Sequence, residues 1–178
     1  AGIGYGGSCF PKDTLSLLHQ ASSKGEKLNV LDGTVRTNDQ QIKYFSKKII
    51  DYFESKGIEK NVTLLGLSFK PNTDDIRESR GVLLYYLLKD SGFTIKCHDH
   101  MNLKFHTEPI EYFKEIDQAL TDSNALIISV EDKEYSELDL QFLKDKGIKA
   151  IFDGRNILRH RLRDIDQMDY FCIGGSGF

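Results

Sequence analysis

At 178 residues the chain is long enough for one good-sized domain with an appendage. Its make-up is 39% hydrophobic and 29% charged, with a formal charge of -3, which gives no general attraction to nucleic acid or to an anionic membrane. No apolar run approaches the ~20 residues of a bilayer span, no secretory leader is visible, and Cys9, Cys97 and Cys172 offer neither a CxxC nor a zinc spacing, so a reducing, cytoplasmic setting fits them.

The chain opens on Gly2-Ile3-Gly4-Tyr5-Gly6-Gly7-Ser8-Cys9-Phe10-Pro11-Lys12-Asp13. It starts at Ala1 already inside this motif, which suggests a piece of a larger protein. Asp13-Thr14 predicts a helix start, continued by Leu15, Leu17, Leu18 and Ala21 to about Lys24-Gly25. Leu28 to Leu31 is a short apolar patch. A longer helix is expected from about Thr34 to Lys56, stopped by Gly57. Its apolar positions Ile42, Phe45, Ile49, Ile50 and Phe53 follow the helical period. That stripe either packs on its own domain or stands exposed as a pairing surface for a second copy.

Past Gly57 the pattern changes to strands alternating with helices. Val62-Leu65, Phe93-Cys97, Ala125-Val130, Ala150-Asp153 and Tyr170-Ile173 read as about five strands, with helices near 81–89, 116–120 and 138–146. The alternation argues an α/β fold: a Rossmann-like open parallel sheet from residue 58 to 178, preceded over residues 1–57 by helices of a second unit.

The opening glycines let the backbone approach a ligand closely. Cys9 offers a soft nucleophile whose thiolate is the reactive form; Lys12 supplies a neighbouring cation and Asp13 a proton acceptor. Taken alone, a cysteine on a glycine loop is better read as a small buried hydrophobe. A dinucleotide fingerprint needs a preceding strand, and here there is none. The phosphate site is better sought in the loop after the first strand, Gly66 to Ser79. There ligands of open sheets gather, Lys70 offers a point charge, and the helix start near Ser79 adds N–H groups. The same residues also make a plain polar loop, with a Pro71-Asn72 turn and Ser79 as an N-cap.

Asp99 ends the second strand, the position of a ribose-binding acid. His98-Asp99-His100 invites a metal reading, but the run stands where the strand ends, and a solvated loop with no metal is the expectation. The basic run Arg155, Arg159, His160, Arg161, Arg163 sits beside Asp164 and Asp166 and reads as a solvated face rather than a nucleic-acid site. His19, His106 and His160 are isolated.

The opening run resembles the active-site segment of the UDP-glucose/GDP-mannose dehydrogenase family. Leu65-Gly66-Leu67-Ser68-Phe69-Lys70-Pro71-Asn72-Thr73-Asp74-Asp75-Ile76-Arg77-Glu78-Ser79 resembles a second segment of that family, and Phe152-Asp153-Gly154-Arg155-Asn156 a third, in the family's order. The resemblance implies an NAD-dependent oxidation of a nucleotide sugar's C6 alcohol to a carboxylate. Cys9 is then the nucleophile that carries a thiohemiacetal and a thioester, and Asp13 assists hydrolysis. Tyr5, Gly6, Phe69, Lys70 and Arg155 are implied to contact the substrate, a UDP-sugar by default, and Lys12 and Arg77 the NAD cofactor. The main NAD domain is implied to lie outside this chain, which by itself is expected to behave as a nucleotide-sugar-binding module. The central-domain helices are implied to form a homodimer. One departure stands out: the family usually has Asp-Pro where this chain has Asp99-His100.

Overall fold

The computed structural model describes residues 2–105, 109–164 and 168–174, with the side chains of 162–164 left aside; His106 and the side chain of Arg163 therefore fall outside the described residues. Helix α1 spans Phe10–Ser23 and α2 spans Asn29–Lys56. There follow β1 (Asn61–Leu65), α3 (Arg80–Asp90), β2 (Thr94–His98), β3 (Tyr112–Phe113), α4 (Ile116–Leu120), β4 (Ala125–Ile128), α5 (Lys133–Ser136), α6 (Leu140–Asp145), β5 (Ala150–Asp153), a 3-10 stretch (Arg159–Asp164) and β6 (Asp169–Cys172).

All six strands are parallel, in the order β3-β2-β1-β4-β5-β6. This is the doubly wound Rossmann order, whose direction of winding reverses between β1 and β4. The expected α/β class holds, with β3 as a sixth strand. Both faces of the sheet are covered, so its strands are near-continuous apolar runs rather than half-polar alternations. Val62, Leu64, Ile127 and Phe152 face a core shared with α2 and α3. Leu65, Leu126, Ile128 and Ile151 face the opposite core with Leu120, Tyr135, Leu140, Leu143 and Leu158.

Three expectations change. Helix α1 starts at Phe10 rather than Asp13, because Pro11 suits a first turn where no N–H partner is needed. Helix α2 starts at Asn29 and absorbs the Leu28–Leu31 patch. The apolar stripe of α2 is no pairing surface: Ile42, Phe45, Ile49 and Phe53 are at most 1% exposed, packed on the sheet together with Tyr52, whose ring meets Phe152 and Phe171 edge-on. Burying each such side chain contributes about 1.5–3 kcal/mol, which a partner copy could not match without unfolding the face.

Candidate functional site

The glycine-rich segment ahead of α1 lies across the carboxyl edge of the sheet and is held from three sides. From α2, the Asn38 side chain accepts the Tyr5 N–H at 2.7 Å and donates to the Tyr5 carbonyl at 3.2 Å, while Gln41 donates to the Gly2 carbonyl at 3.1 Å. From α3, Arg80 Nε donates to the same Tyr5 carbonyl at 2.7 Å. From the loop after β1, the Arg77 carbonyl accepts the Gly7 N–H at 3.1 Å.

Two glycines are required by this apposition. A Cβ on Gly6 would come within 2.0 Å of the Glu78 carbonyl oxygen, and one on Gly7 within 2.7 Å of the Phe69 ring; Gly7 also holds φ +86°. On the other side of the contact, Glu78 itself takes φ 52°, a left-handed conformation that costs a side chain roughly 1–2 kcal/mol. The turn leads directly into α3, where Ser79 caps the helix by accepting the Val82 N–H.

The third motif closes the far side. Gly154 lies so near Ile3 that a Cβ there would sit 2.7 Å from its methyl. Asp153 is fully buried and spends its carboxylate on structure, accepting from the Arg155 N–H, the Leu158 N–H and the Tyr170 hydroxyl. Arg155 reaches back to Gly2, with Nη2 at 3.5 Å from Glu131 and its buried Nε without a hydrogen-bond partner among the described residues. Three motifs far apart in sequence thus meet at one edge.

Cys9 is exposed at the N-cap position of α1, and its carbonyl accepts the Asp13 N–H at 2.9 Å. Asp13 therefore stands one helical turn on, paired with Lys12 at 3.0 Å. That hydrogen bond is the first cause holding the Lys12 pKa above its ordinary value, the Asp13 charge the second. Arg77 is clamped to Asp75 through Nε and Nη2, and both Arg77 and Lys12 lie within electrostatic range of Cys9. Lys70 is exposed, its ammonium 5.3 Å from the centre of the Phe69 ring.

The structure thus joins Tyr5, Gly6, Phe69, Arg77 and Arg155 in one contact network, with Cys9 at its rim. Sequence reasoning missed Asn38, Gln41 and Arg80. Their only signal was a row of polar residues on α2 and the first residue of α3, which reads as solvated surface.

The acid at the ribose position of the chain's own sheet is used internally. Asp99, at the ribose-acid position, is 2% exposed and accepts three backbone N–H groups: Oδ2 those of Leu67 and Ser68, and Oδ1 that of Met101. It staples the β1 loop instead of offering itself to a ribose. His98 is buried rather than solvated. Its Nε2 must donate to the Lys114 carbonyl, leaving Nδ1 to accept from the Tyr135 hydroxyl. Part of the basic run is likewise used internally, Arg161 donating to the Ser136 and Leu138 carbonyls.

A doubly wound domain with a cysteine-bearing loop laid over its carboxyl edge defines the class to which the chain is similar. Residues 63–160 match the UDP binding domain of the UDP-glucose/GDP-mannose dehydrogenase family, and residues 1–40 its central domain. The chain belongs to that family. It is 35% identical to the UDP-glucose 6-dehydrogenase AglM of Haloferax volcanii over 90% of its own length and 37% of that protein's. It is 36% identical to the putative UDP-glucose 6-dehydrogenase YtcA of Bacillus subtilis, over 98% of its length and 41% of the relative's. A solved UDP-glucose dehydrogenase from Pyrobaculum islandicum superposes with a TM-score of 0.76 at 30% identity, covering 100% of this chain and 39% of that one. The chain spans about two fifths of the length of these relatives. Among the described residues, no helix is long and apolar enough to cross a membrane.

Proposed function

We propose that the chain forms the nucleotide-sugar end of an NAD-dependent UDP-sugar 6-dehydrogenase and contributes its nucleophile. The observation that carries this reading is the seating of the Cys9 loop between the Phe69–Arg77 loop and the Arg155 turn, at the sheet edge where doubly wound domains hold ligands. We divide the chain at residue 57 between a central-domain portion and the nucleotide-sugar-binding domain, and we place the protein in a reducing cytoplasm, consistent with three free thiols.

NAD, held outside this chain, supplies the acceptor for the two hydrides that the four-electron oxidation releases. Cys9 Sγ adds to the aldehyde carbon of the half-oxidised sugar to give a thiohemiacetal, which becomes a thioester at the second oxidation. Water then attacks the thioester carbon. Asp13 takes one of its protons, the C–S bond breaks, and the remaining proton passes to sulfur, so that Cys9 leaves as the thiol while the sugar departs as a carboxylate. Tyr5, Gly6, Phe69, Lys70 and Arg155 line the UDP-sugar side; Lys12 and Arg77 face the cofactor.

The use of Asp99 as an acceptor for the Leu67, Ser68 and Met101 N–H groups favours a second reading for the 178-residue chain by itself: it binds the nucleotide sugar without turnover. Homodimerisation of the whole protein must use a surface other than the buried α2 stripe.

The test is the intact parent enzyme with a panel of nucleotide sugars and NAD. UDP-sugars should be oxidised to acids, and Cys9→Ser should stop acid formation. Carboxylate production by that variant at the wild-type rate refutes the mechanism.

A further inference from the structure

Apart from the converging loops, the fold brings together three metal-ligating side chains that no sequence motif joins. His100 follows β2, and Asp132 and Glu134 lie at the start of α5, just past β4. Strands β2 and β4 are the two neighbours of β1, so these segments leave the same sheet edge on either side of it. His100 Nδ1 stands 3.8 Å from Asp132 Oδ2 and 3.8 Å from Glu134 Oε2. One ligand atom from each residue lies within 4.8 Å of the others.

A second observation concerns Asp132. It is 8% exposed. Its Oδ1 accepts the Glu134 N–H at 3.0 Å, while Oδ2 receives no hydrogen bond among the described residues and is the oxygen turned to His100. Asp132 Oδ2 is thus a carboxylate oxygen without a hydrogen-bond donor among the described residues, turned toward His100. His100 is also the residue at which this chain departs from Asp-Pro.

We infer that His100, Asp132 and Glu134 form a binding site for one divalent transition-metal ion of the zinc class. An imidazole with two carboxylates suits zinc and its neighbours, whereas magnesium and calcium favour all-oxygen shells. At bond lengths of about 2.1 Å, tetrahedral ligand atoms lie about 3.4 Å apart. The two pairs with His100, at 3.8 Å, therefore close by a few tenths of an ångström, and the carboxylate pair, within 4.8 Å, by up to about 1.4 Å. The exposed His100 and Glu134 side chains supply that movement while buried Asp132 stays in place. Three protein ligands leave a fourth position for water. The ion ties the segment after β2 to the segment after β4 across the end of β1, the strand whose following loop carries Phe69 and Arg77.

The experiment is calorimetric titration of the chelator-stripped chain with zinc chloride, with cobalt(II) absorption as a readout of ligand type. Saturable one-to-one zinc binding is expected, with no response to magnesium. His100→Ala should weaken it by roughly tenfold or more, and Glu134→Gln should weaken it as well. Cys9→Ser, which removes the exposed soft thiol, should leave it intact, and the cobalt complex should lack sulfur charge-transfer bands. His100 is a surface residue, and circular dichroism checks that its variant is folded. Absence of saturable binding in the wild type, or equal zinc affinity in folded His100→Ala, overturns the inference.

Discussion

The side-chain amide of Asn38 holds both backbone polar groups of Tyr5, accepting from its N–H at 2.7 Å and donating to its carbonyl at 3.2 Å. One helix residue thereby fixes the path of the loop that leads to Cys9. Asn38→Ala should destabilise the chain by about 1–3 kcal/mol, the cost of leaving buried polar groups unmade. Urea unfolding measures it, and the Tyr5 amide should exchange with solvent much faster in the variant.

Gly6→Ala should separate the glycine loop from the β1 loop, because its methyl would meet the Glu78 carbonyl. A loss of about 1–3 kcal/mol is expected from the forced backbone shift. In the intact enzyme turnover should fall with it, since Cys9 follows three residues later. An unchanged melting temperature would count against the apposition.

Of the three thiols only Cys9 is exposed. Burial pushes the Cys97 thiol up to about 12. Native protein treated with iodoacetamide at mildly alkaline pH should gain one label, on Cys9, and three in urea, as mass spectrometry will count. The raised Cys97 pKa also has a stability consequence. Above the ordinary value of 9.0 the unfolded chain ionises while the native chain keeps its proton, so stability falls as pH rises from 9.0 to about 12. Cys97→Ala should remove that part of the alkaline slope.

Phe45→Ala should cost about 3–5 kcal/mol, as for other buried aromatic rings, and should leave the association state of the folded protein unchanged. Sedimentation of the variant separates this from a pairing role: dissociation without loss of stability would contradict the packing of α2 on the sheet.

Lys70→Ala should weaken binding of a UDP-sugar to the intact parent by ~1–3 kcal/mol, the size of a charge-assisted hydrogen bond. Equal calorimetric affinities for variant and wild type would remove Lys70 from the substrate side.

Much of the fold was legible because its signals are local. The runs Val62–Leu65, Ala125–Ile128 and Ala150–Phe152 are buried and, Thr63 apart, apolar, as expected of buried parallel strands. Gly57 stops α2 where its left-handed conformation is needed. By contrast, β3 and α5 have two and four residues, too few to show a period. Pro11 drew α1 three residues further back than its apolar spacing implied. The burial of His98 came from Tyr135 and the Lys114 carbonyl, both distant in sequence.

The three motifs and the proposed nucleophile, Cys9, were carried by residue identity alone, since glycine, cysteine and lysine announce their chemistry wherever they sit. Their meeting was decided by topology. A parallel sheet delivers the ends of β1, β4 and β5 to one edge, and only there do Gly6 and Glu78, or Gly154 and Ile3, come into contact. The same geometry turned Asp99 from a ribose acid into a staple for Leu67 and Ser68. It also brought His100 to Asp132 and Glu134. Contacts between residues tens of positions apart depend on strand order, and strand order is set by how the two faces of the sheet are buried rather than by any local pattern.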